Sequence, residues 1–386
     1  MIYYGKQHIG REEIQAVEAV LRSDFLTQGP MIERFEQCVA AYCGAKYAVA
    51  VTNATSALHI ACLAAGLGES DVLWTSPITF VASANCGRYC GAAVDFVDID
   101  EKTYNMDVTA LERKLEAARQ HGRLPKIVVP VHLAGQSCDM RRIHELSEEY
   151  GFTVLEDASH ALGAEYRGGK VGSCEFSDMA VFSFHPVKII TTGEGGMVLT
   201  NDAALCERLR LYRSHGITRD VSRMTHESDG SWYYQQIELG FNYRMTDIQA
   251  ALGYRQMHSL DAFVKRRRKL AARYNELLKD LPLATPYVMP DAVPSWHIYV
   301  VQIDFNRVRK SKQELFDGMK EKGIMLNLHY IPVHTQPYYQ KLGFANGDFP
   351  HSESYYRAAL TLPLYYDLSD DCQDRIVESL REVLRG

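Results

Sequence analysis

A lysine closing the run Phe182-Ser183-Phe184-His185-Pro186-Val187-Lys188 has the clearest chemical use in this chain. The run starts in a short apolar stretch, and the loop Thr191-Thr192-Gly193-Glu194-Gly195-Gly196 follows it closely. A lysine at a strand end, among small residues, can be partly stripped of water. Desolvation lowers its pKa and frees the neutral amine to form a Schiff base with a carbonyl carbon. A lone lysine of this kind would be read as a solvated loop residue, but three other segments stand with it. Asp157, in Glu156-Asp157-Ala158-Ser159-His160, comes directly after an apolar strand. A carboxylate there can hold a pyridine nitrogen in its protonated state, or it can simply cap a turn. The run Thr52-Asn53-Ala54-Thr55-Ser56-Ala57-Leu58 joins a strand to a helix. A helix start offers free N–H groups to a phosphate, with the Thr55 and Ser56 hydroxyls as further donors, or with Thr and Ser as plain caps. Thr79-Phe80 opens another expected helix and puts an aromatic ring where it can stack on a flat ligand, or pack in a core. Phosphate cradle, aromatic, acid and lysine, in that order and each at a strand end, describe a site for pyridoxal 5′-phosphate (PLP).

The elements that must position these residues alternate. Short apolar strands are expected at 47–51, 72–75, 93–97, 126–131 and 152–155, and helices at 55–65, 79–90, 108–120 and 140–150. Two helices precede them, at 11–22 and from Pro30 to the stop at Gly44. Such units, joined by short loops, imply a mostly parallel sheet covered by helices, with ligands at the carboxyl ends of the strands. Further strands at 179–183 and 197–200 and a helix at 202–214 follow, then a polar surface loop at 217–236. A single long helix is expected over 246–281, bridging to a smaller α/β unit. That unit comprises strands 298–303 and 324–328, a helix at 312–322 and a last helix capped by Ser369. The division expected is residues 1–250 for the large cofactor-binding domain and 251–386 for the linking helix and small domain.

Composition narrows the function classes. With 386 residues, 46% hydrophobic and 23% charged, the chain is an ordinary globular protein with room for two domains. A net charge of −6 gives no general attraction to nucleic acid or anionic membrane. Nine cysteines, an odd number without CxxC spacing, argue against a disulfide framework or a zinc site. His132, His185, His215 and His334 are scattered, and no metal is expected. Asp367, Asp370 and Asp371 are read as charges at a helix start, and Lys265-Arg266-Arg267-Arg268-Lys269 as a solvated helix face. No signal peptide and no apolar run long enough to span a bilayer are evident, so a cytoplasmic protein is expected.

Four longer runs carry a resemblance. They are Arg22-Ser23-Asp24-Phe25-Leu26-Thr27-Gln28-Gly29-Pro30, Thr75 through Asn85, Glu156 through Gly163, and Phe182 through Gly196. Through them the chain resembles the DegT/DnrJ/StrS sugar aminotransferases, from Tyr4 to the final helix. The resemblance implies an α/β protein of the PLP-dependent transferase fold (aspartate aminotransferase type, fold type I), with a large, mainly parallel sheet domain and a smaller C-terminal α/β domain. It implies that Lys188 is the Schiff-base lysine and that Asp157 partners the pyridine nitrogen. Phe80 would stack on the ring, Ala54, Thr55 and Ser183 would lie by the phosphate, and Ser56 nearby. His160 stands where many relatives carry glutamine and would bear on the cofactor 3-hydroxyl. Gly240-Phe241-Asn242-Tyr243-Arg244 matches a segment that reaches into a neighbouring subunit, with Asn242 at the phosphate, which implies a homodimer with shared active sites. Tyr4, Asp24, Phe25, Leu26, Thr27, His329, Tyr330, Ile331 and Pro332 match segments lining a nucleotide-sugar pocket.

The implied reaction is ping-pong. L-glutamate gives up its amino group, which then passes to C4 of a UDP-linked 4-keto-6-deoxy-N-acetylhexosamine, a step of pseudaminic acid biosynthesis. Some members of the group are dehydratases with histidine in place of the lysine; Lys188 favours transamination. Amination of a dTDP-linked sugar or at C3, and a non-catalytic PLP-fold sensor, are the competing readings. A nicotinamide dehydrogenase is disfavoured because residues 53–58 hold no glycine where GxGxxG would be required.

Overall fold

The computed structural model describes residues 1–385. Seven strands form the main sheet: β1 (Tyr47–Val51), β2 (Val72–Thr75), β3 (Ala93–Phe96), β4 (Ile127–Val129), β5 (Thr153–Asp157), β6 (Met179–Ser183) and β7 (Gly196–Thr200). Their order is β1-β7-β6-β5-β4-β2-β3. The β3/β2, β2/β4, β4/β5 and β5/β6 pairs are parallel, and β7 runs antiparallel to both β6 and β1. Both faces are buried, as a parallel sheet requires. Alternate residues point to opposite faces: Val49 and Val51 enter one core, Ala48 and Ala50 another.

The covering helices start and stop where local chemistry dictates. Pro30 opens the helix Pro30–Cys43, and Gly44 ends it with φ 81°, a left-handed turn that favours glycine. Asp107, Asp139 and Asp202 cap their helices through side-chain carboxylates. Ser369 accepts from the Cys372 N–H at 3.1 Å and caps the last helix, Asp370–Arg385.

Some expected boundaries differ. The fourth strand ends at Val129 because Pro130 has no N–H for the ladder. The fifth continues through Asp157, whose N–H donates to Pro130 O at 2.9 Å and which pairs with Val181. The helix expected from Thr79 begins at Ala82, leaving Phe80 in the preceding turn. The expected strand 324–328 does not form: Ile324 bridges to Ile2 and Asn327 to Thr361, so the segment changes partner before a ladder develops.

The single helix expected over 246–281 is two. Asp247–Met257 opens on a Thr246/Gln249 capping box and ends at His258, and Leu260–Leu277 follows. Leu260, Phe263 and Val264 of the second helix pack in the large-sheet core. Leu270, Ala271 and Tyr274 pack in a separate core with the C-terminal sheet of β8 (Leu283–Ala284), β9 (Tyr299–Ile303) and β10 (Ala359–Leu362). The basic run on this helix is not a solvated face. Arg267 is buried and its guanidinium donates to Trp296 O, His297 O and Leu364 O at 3.2, 3.0 and 3.0 Å. Arg266 reaches Leu368 O and Asp370, and Arg268 reaches Pro294 O; Lys265 and Lys269 remain exposed. Burial was invisible in the charge pattern because the acceptors are carbonyls distant in sequence. Among the described residues no helix is long and apolar enough to cross a membrane.

Candidate functional site

One cavity of about 570 Å³ opens at the carboxyl ends of the main-sheet strands. Its walls include Ala54 and Thr55 after β1, Phe80 after β2, Asp157 at the end of β5, Ser183 at the end of β6, and Lys188. The far wall comes from the C-terminal half: His297, Asn327, His329 and Tyr330, with Tyr4 from the N-terminus.

The floor is a helix start. Asn53 caps the helix Ala54–Ala64, its Oδ1 accepting from Ser56 N at 2.8 Å and from Ser56 Oγ at 3.0 Å. Ser56 is therefore committed to the cap and buried, whereas the first-turn residues Ala54 and Thr55 line the cavity. Such a turn holds N–H groups and the positive end of the helix dipole toward an anion. Gly196 makes this geometry possible: a Cβ there would lie 2.4 Å from Asn53 C and 2.6 Å from Ala54 N. Gly196→Ala is expected to displace the Asn53–Ala54 peptide and weaken PLP affinity about ten- to hundredfold, an overpacking effect at the backbone. Titration of the cofactor-free chain with PLP measures it, and an unchanged dissociation constant would show that the cradle lies elsewhere.

Asp157 is buried, with both oxygens engaged. Ser83 Oγ donates to Oδ2 at 2.5 Å and the Ser159 N–H donates to Oδ1 at 3.1 Å. Two donors fix the carboxylate in place. Phe80 presents an exposed ring at the cavity mouth, 6.1 Å from the Tyr330 ring. Lys188 follows β6, and burial pushes its ammonium down to about 8 while the Asp157 charge pulls the other way.

Three histidines surround that lysine. His160 takes the Ala134 N–H on Nδ1 at 3.3 Å and pairs through Nε2 with the Tyr330 hydroxyl at 3.0 Å. Its pKa is driven well down by burial, then by Lys188 and His329. His329 pairs with Thr361 Oγ1 at 2.9 Å and is lowered to about 3 by burial and by Lys188. His297 lies 3.5 Å from Lys188 Nζ through its Nε2. Burial also raises the Tyr330 hydroxyl, which stays neutral. The site thus holds the Lys188 amine, the fixed Asp157 carboxylate, Glu194 on the lysine's own loop and a wall of uncharged rings. A donor set of helix-start N–H groups, a carboxylate, an aromatic face and a desolvated amine matches the phosphate, ring nitrogen, ring face and aldehyde of PLP.

Other residues singled out in the sequence lie apart from the cavity. Asp24, Phe25, Leu26 and Thr27 are exposed and do not line it; Thr27 bridges to Thr246. Asn242 is also exposed and outside it, bridged to Ser214. Ile331 is exposed and Pro332 buried, both beyond the lining. Ser83 and His297 went unassigned in the sequence. Ser83 sits inside a matching run and precedes Asn85 by two; no local pattern marked His297, which is 109 positions from its lysine.

Comparison with known proteins adds independent findings. Residues 7–381 match the model of the DegT/DnrJ/EryC1/StrS aminotransferase family. The chain is 41% identical to the spore coat polysaccharide biosynthesis protein SpsC of Bacillus subtilis, covering 99% of this chain and 97% of that protein. It is 36% identical to the UDP-4-amino-4,6-dideoxy-N-acetyl-beta-L-altrosamine transaminase of Campylobacter jejuni, covering 100% and 99%. Among solved structures, Helicobacter pylori PseC, an aminotransferase involved in the biosynthesis of pseudoaminic acid, superposes with a TM-score of 0.90 at 30% identity, over 100% of this chain and 99% of that one.

Proposed function

We propose, from the premise that the chain belongs to the DegT/DnrJ/EryC1/StrS aminotransferase family, that it moves an amino group from L-glutamate to C4 of a UDP-linked 4-keto-6-deoxy-N-acetylhexosamine. The fold is the type I fold of PLP-dependent transferases, and PLP is the cofactor. The observation that carries the reading is the desolvated Lys188 amine in one cavity with Asp157, Phe80 and the Ala54–Thr55 turn.

Bound PLP supplies an electron sink for the pair released when the donor's α C–H bond breaks. The chain's residues do the rest. The Ala54 and Thr55 N–H groups and the Ser183 hydroxyl bind the phosphate. The Asp157 carboxylate, held by Ser83, keeps a proton on the pyridine nitrogen, and Phe80 covers the ring and excludes water. Lys188 Nζ would serve as the base that takes the proton from the donor α-carbon and, with the keto sugar, as the acid that delivers a proton to sugar C4. His160, its Nε2–H held by Tyr330, lies on the wall where the ring 3-hydroxyl is expected. Tyr4, His329 and Tyr330 line the sugar side of the pocket.

Asn242 and Asp24–Thr27 find their use in a homodimer. All are exposed, Phe25 and Leu26 as bare apolar side chains and Leu239 three positions before Asn242 as another, which suits residues that complete a second copy's cavity. We place the enzyme in the cytoplasm, on the route to pseudaminic acid. The 41% identity to a spore coat polysaccharide protein favours, as a second reading, the same chemistry on a different nucleotide-linked keto sugar.

The test is the visible spectrum of the PLP-loaded protein. L-glutamate is expected to bleach the cofactor band, and the UDP-linked 4-keto sugar to restore it. Restoration by a dTDP-linked sugar alone would support the second reading, and a band that glutamate leaves unchanged would rule out this donor.

A further inference from the structure

We propose that His297 is a positioning residue that favours the unprotonated Lys188 amine by donating its Nε2–H to Lys188 Nζ. The inference rests on the reading of Lys188 above and adds a residue to it.

The geometry is built from both sides. His297 Nε2 lies 3.5 Å from Lys188 Nζ. The His297 backbone is locked: its N–H donates to Ala134 O at 3.0 Å and its carbonyl accepts from the buried Arg267 at 3.0 Å. Its ring rests 4.4 Å from the His160 ring. The other nitrogen, Nδ1, is buried and has no hydrogen-bond partner among the described residues.

That stranded nitrogen decides the tautomer. If Nε2 accepted a hydrogen bond from a lysine ammonium, the imidazole hydrogen would sit on Nδ1 with nothing to receive it. A buried N–H without a partner is rarer in proteins than a bare acceptor and carries its full desolvation cost. The favourable state carries the hydrogen on Nε2, which then needs a lone pair opposite. Only the neutral lysine amine offers one.

The surrounding charges agree. Burial, then Lys188, His160, Arg267 and His329 all oppose a second proton on His297. Of the groups facing Lys188, Asp157 alone favours the ammonium, while His160 and His329 are held neutral by burial and by the lysine itself. Tyr330, also neutral, belongs to the same wall; Glu194 and His185, on the lysine's own loop, line the cavity too. The tautomer lock thus works with desolvation and against Asp157.

His297→Gln tests the idea, because an amide can turn its oxygen to the lysine and accept from the ammonium. In the full-length cofactor-free chain, Lys188 is labelled over a pH series with an amine-specific acylating reagent and quantified by peptide mass spectrometry. The wild-type midpoint is expected near 8. The variant midpoint is expected about one unit higher, a tenfold loss of free amine below it. A midpoint unchanged or lower overturns the proposal. Should the variant fail to fold, the wild-type chain with ¹⁵N-labelled histidine decides. At about pH 9, above the Lys188 midpoint, His297 is expected to be neutral and protonated on Nε2, and an imidazolium or an Nδ1–H form there overturns the proposal. Borohydride reduction of the PLP-loaded wild type keeps the two failures apart: a label on a lysine other than Lys188 overturns the functional reading itself.

Discussion

Replacing Lys188 with alanine is expected to lower turnover by at least about three orders of magnitude while leaving the fold intact. The side chain lines the cavity wall, and among the described residues no ion pair or packing cluster depends on it. In the proposed role, its loss removes the group that moves the substrate proton, and water is a poor substitute for a placed amine. Steady-state turnover with L-glutamate and the keto sugar measures the loss, and circular dichroism and gel filtration establish the fold. A small primary amine added to the variant should restore part of the rate, which a purely structural defect would not allow. Substantial unaided activity in the variant would remove Lys188 from the mechanism.

The second large effect is expected from Asp157→Asn. The amide keeps the shape of the carboxylate and a partner for Ser83, but not the charge that holds a proton on the pyridine nitrogen. Breaking a buried charge pair costs about 3 kcal/mol or more, which corresponds to about two orders of magnitude in kcat. Ser83→Ala should cost less, about tenfold, because it removes one hydrogen bond and leaves the charge. Turnover of both variants is compared at saturating PLP, so that weak cofactor binding does not masquerade as slow chemistry. Equal effects would place Ser83 in the mechanism in its own right, and no effect of Asp157→Asn would mean that the ring nitrogen is not paired there.

The two effects share a cause. Lys188 and Asp157 face each other in one cavity beside a wall of uncharged rings. An electron sink needs a fixed negative charge on one side, and proton transfer needs an amine that is not permanently protonated. Burial lowers the lysine toward neutral pH, and two hydrogen-bond donors hold the carboxylate in place beside it.

Much of this was legible in the sequence because it depends on local pattern. The strands at 47–51, 72–75 and 179–183 announced themselves as short apolar runs, and helices such as Val108–Gln120 by period and cap. Strands alternating with helices fix the side of a parallel sheet on which loops collect, so Asp157, Phe80 and the 52–58 turn could be assigned to one rim before any distance was known. The long matching runs identified the family, and with it the cofactor.

What only the tertiary structure decided involves partners far apart in the chain. The basic run at 265–269 reads as solvated because charge pattern contains no acceptors; the carbonyls of residues 296, 297 and 364 make Arg267 a buried clamp. The helix over 246–281 reads as continuous because its residues favour helix throughout, yet it breaks at 258–259, and the second helix then passes from the large-sheet core at Leu260, Phe263 and Val264 to the C-terminal core at Leu270, Ala271 and Tyr274. Ser83 and His297 are ordinary residues in sequence, and they gain meaning only where one meets Asp157 and the other meets Lys188. Local pattern determines which residues form strands and helices and which strand ends carry reactive groups. Only the folded chain determines which groups lose their water and which nitrogen is left without a partner, because both depend on packing between segments that the chain does not place side by side.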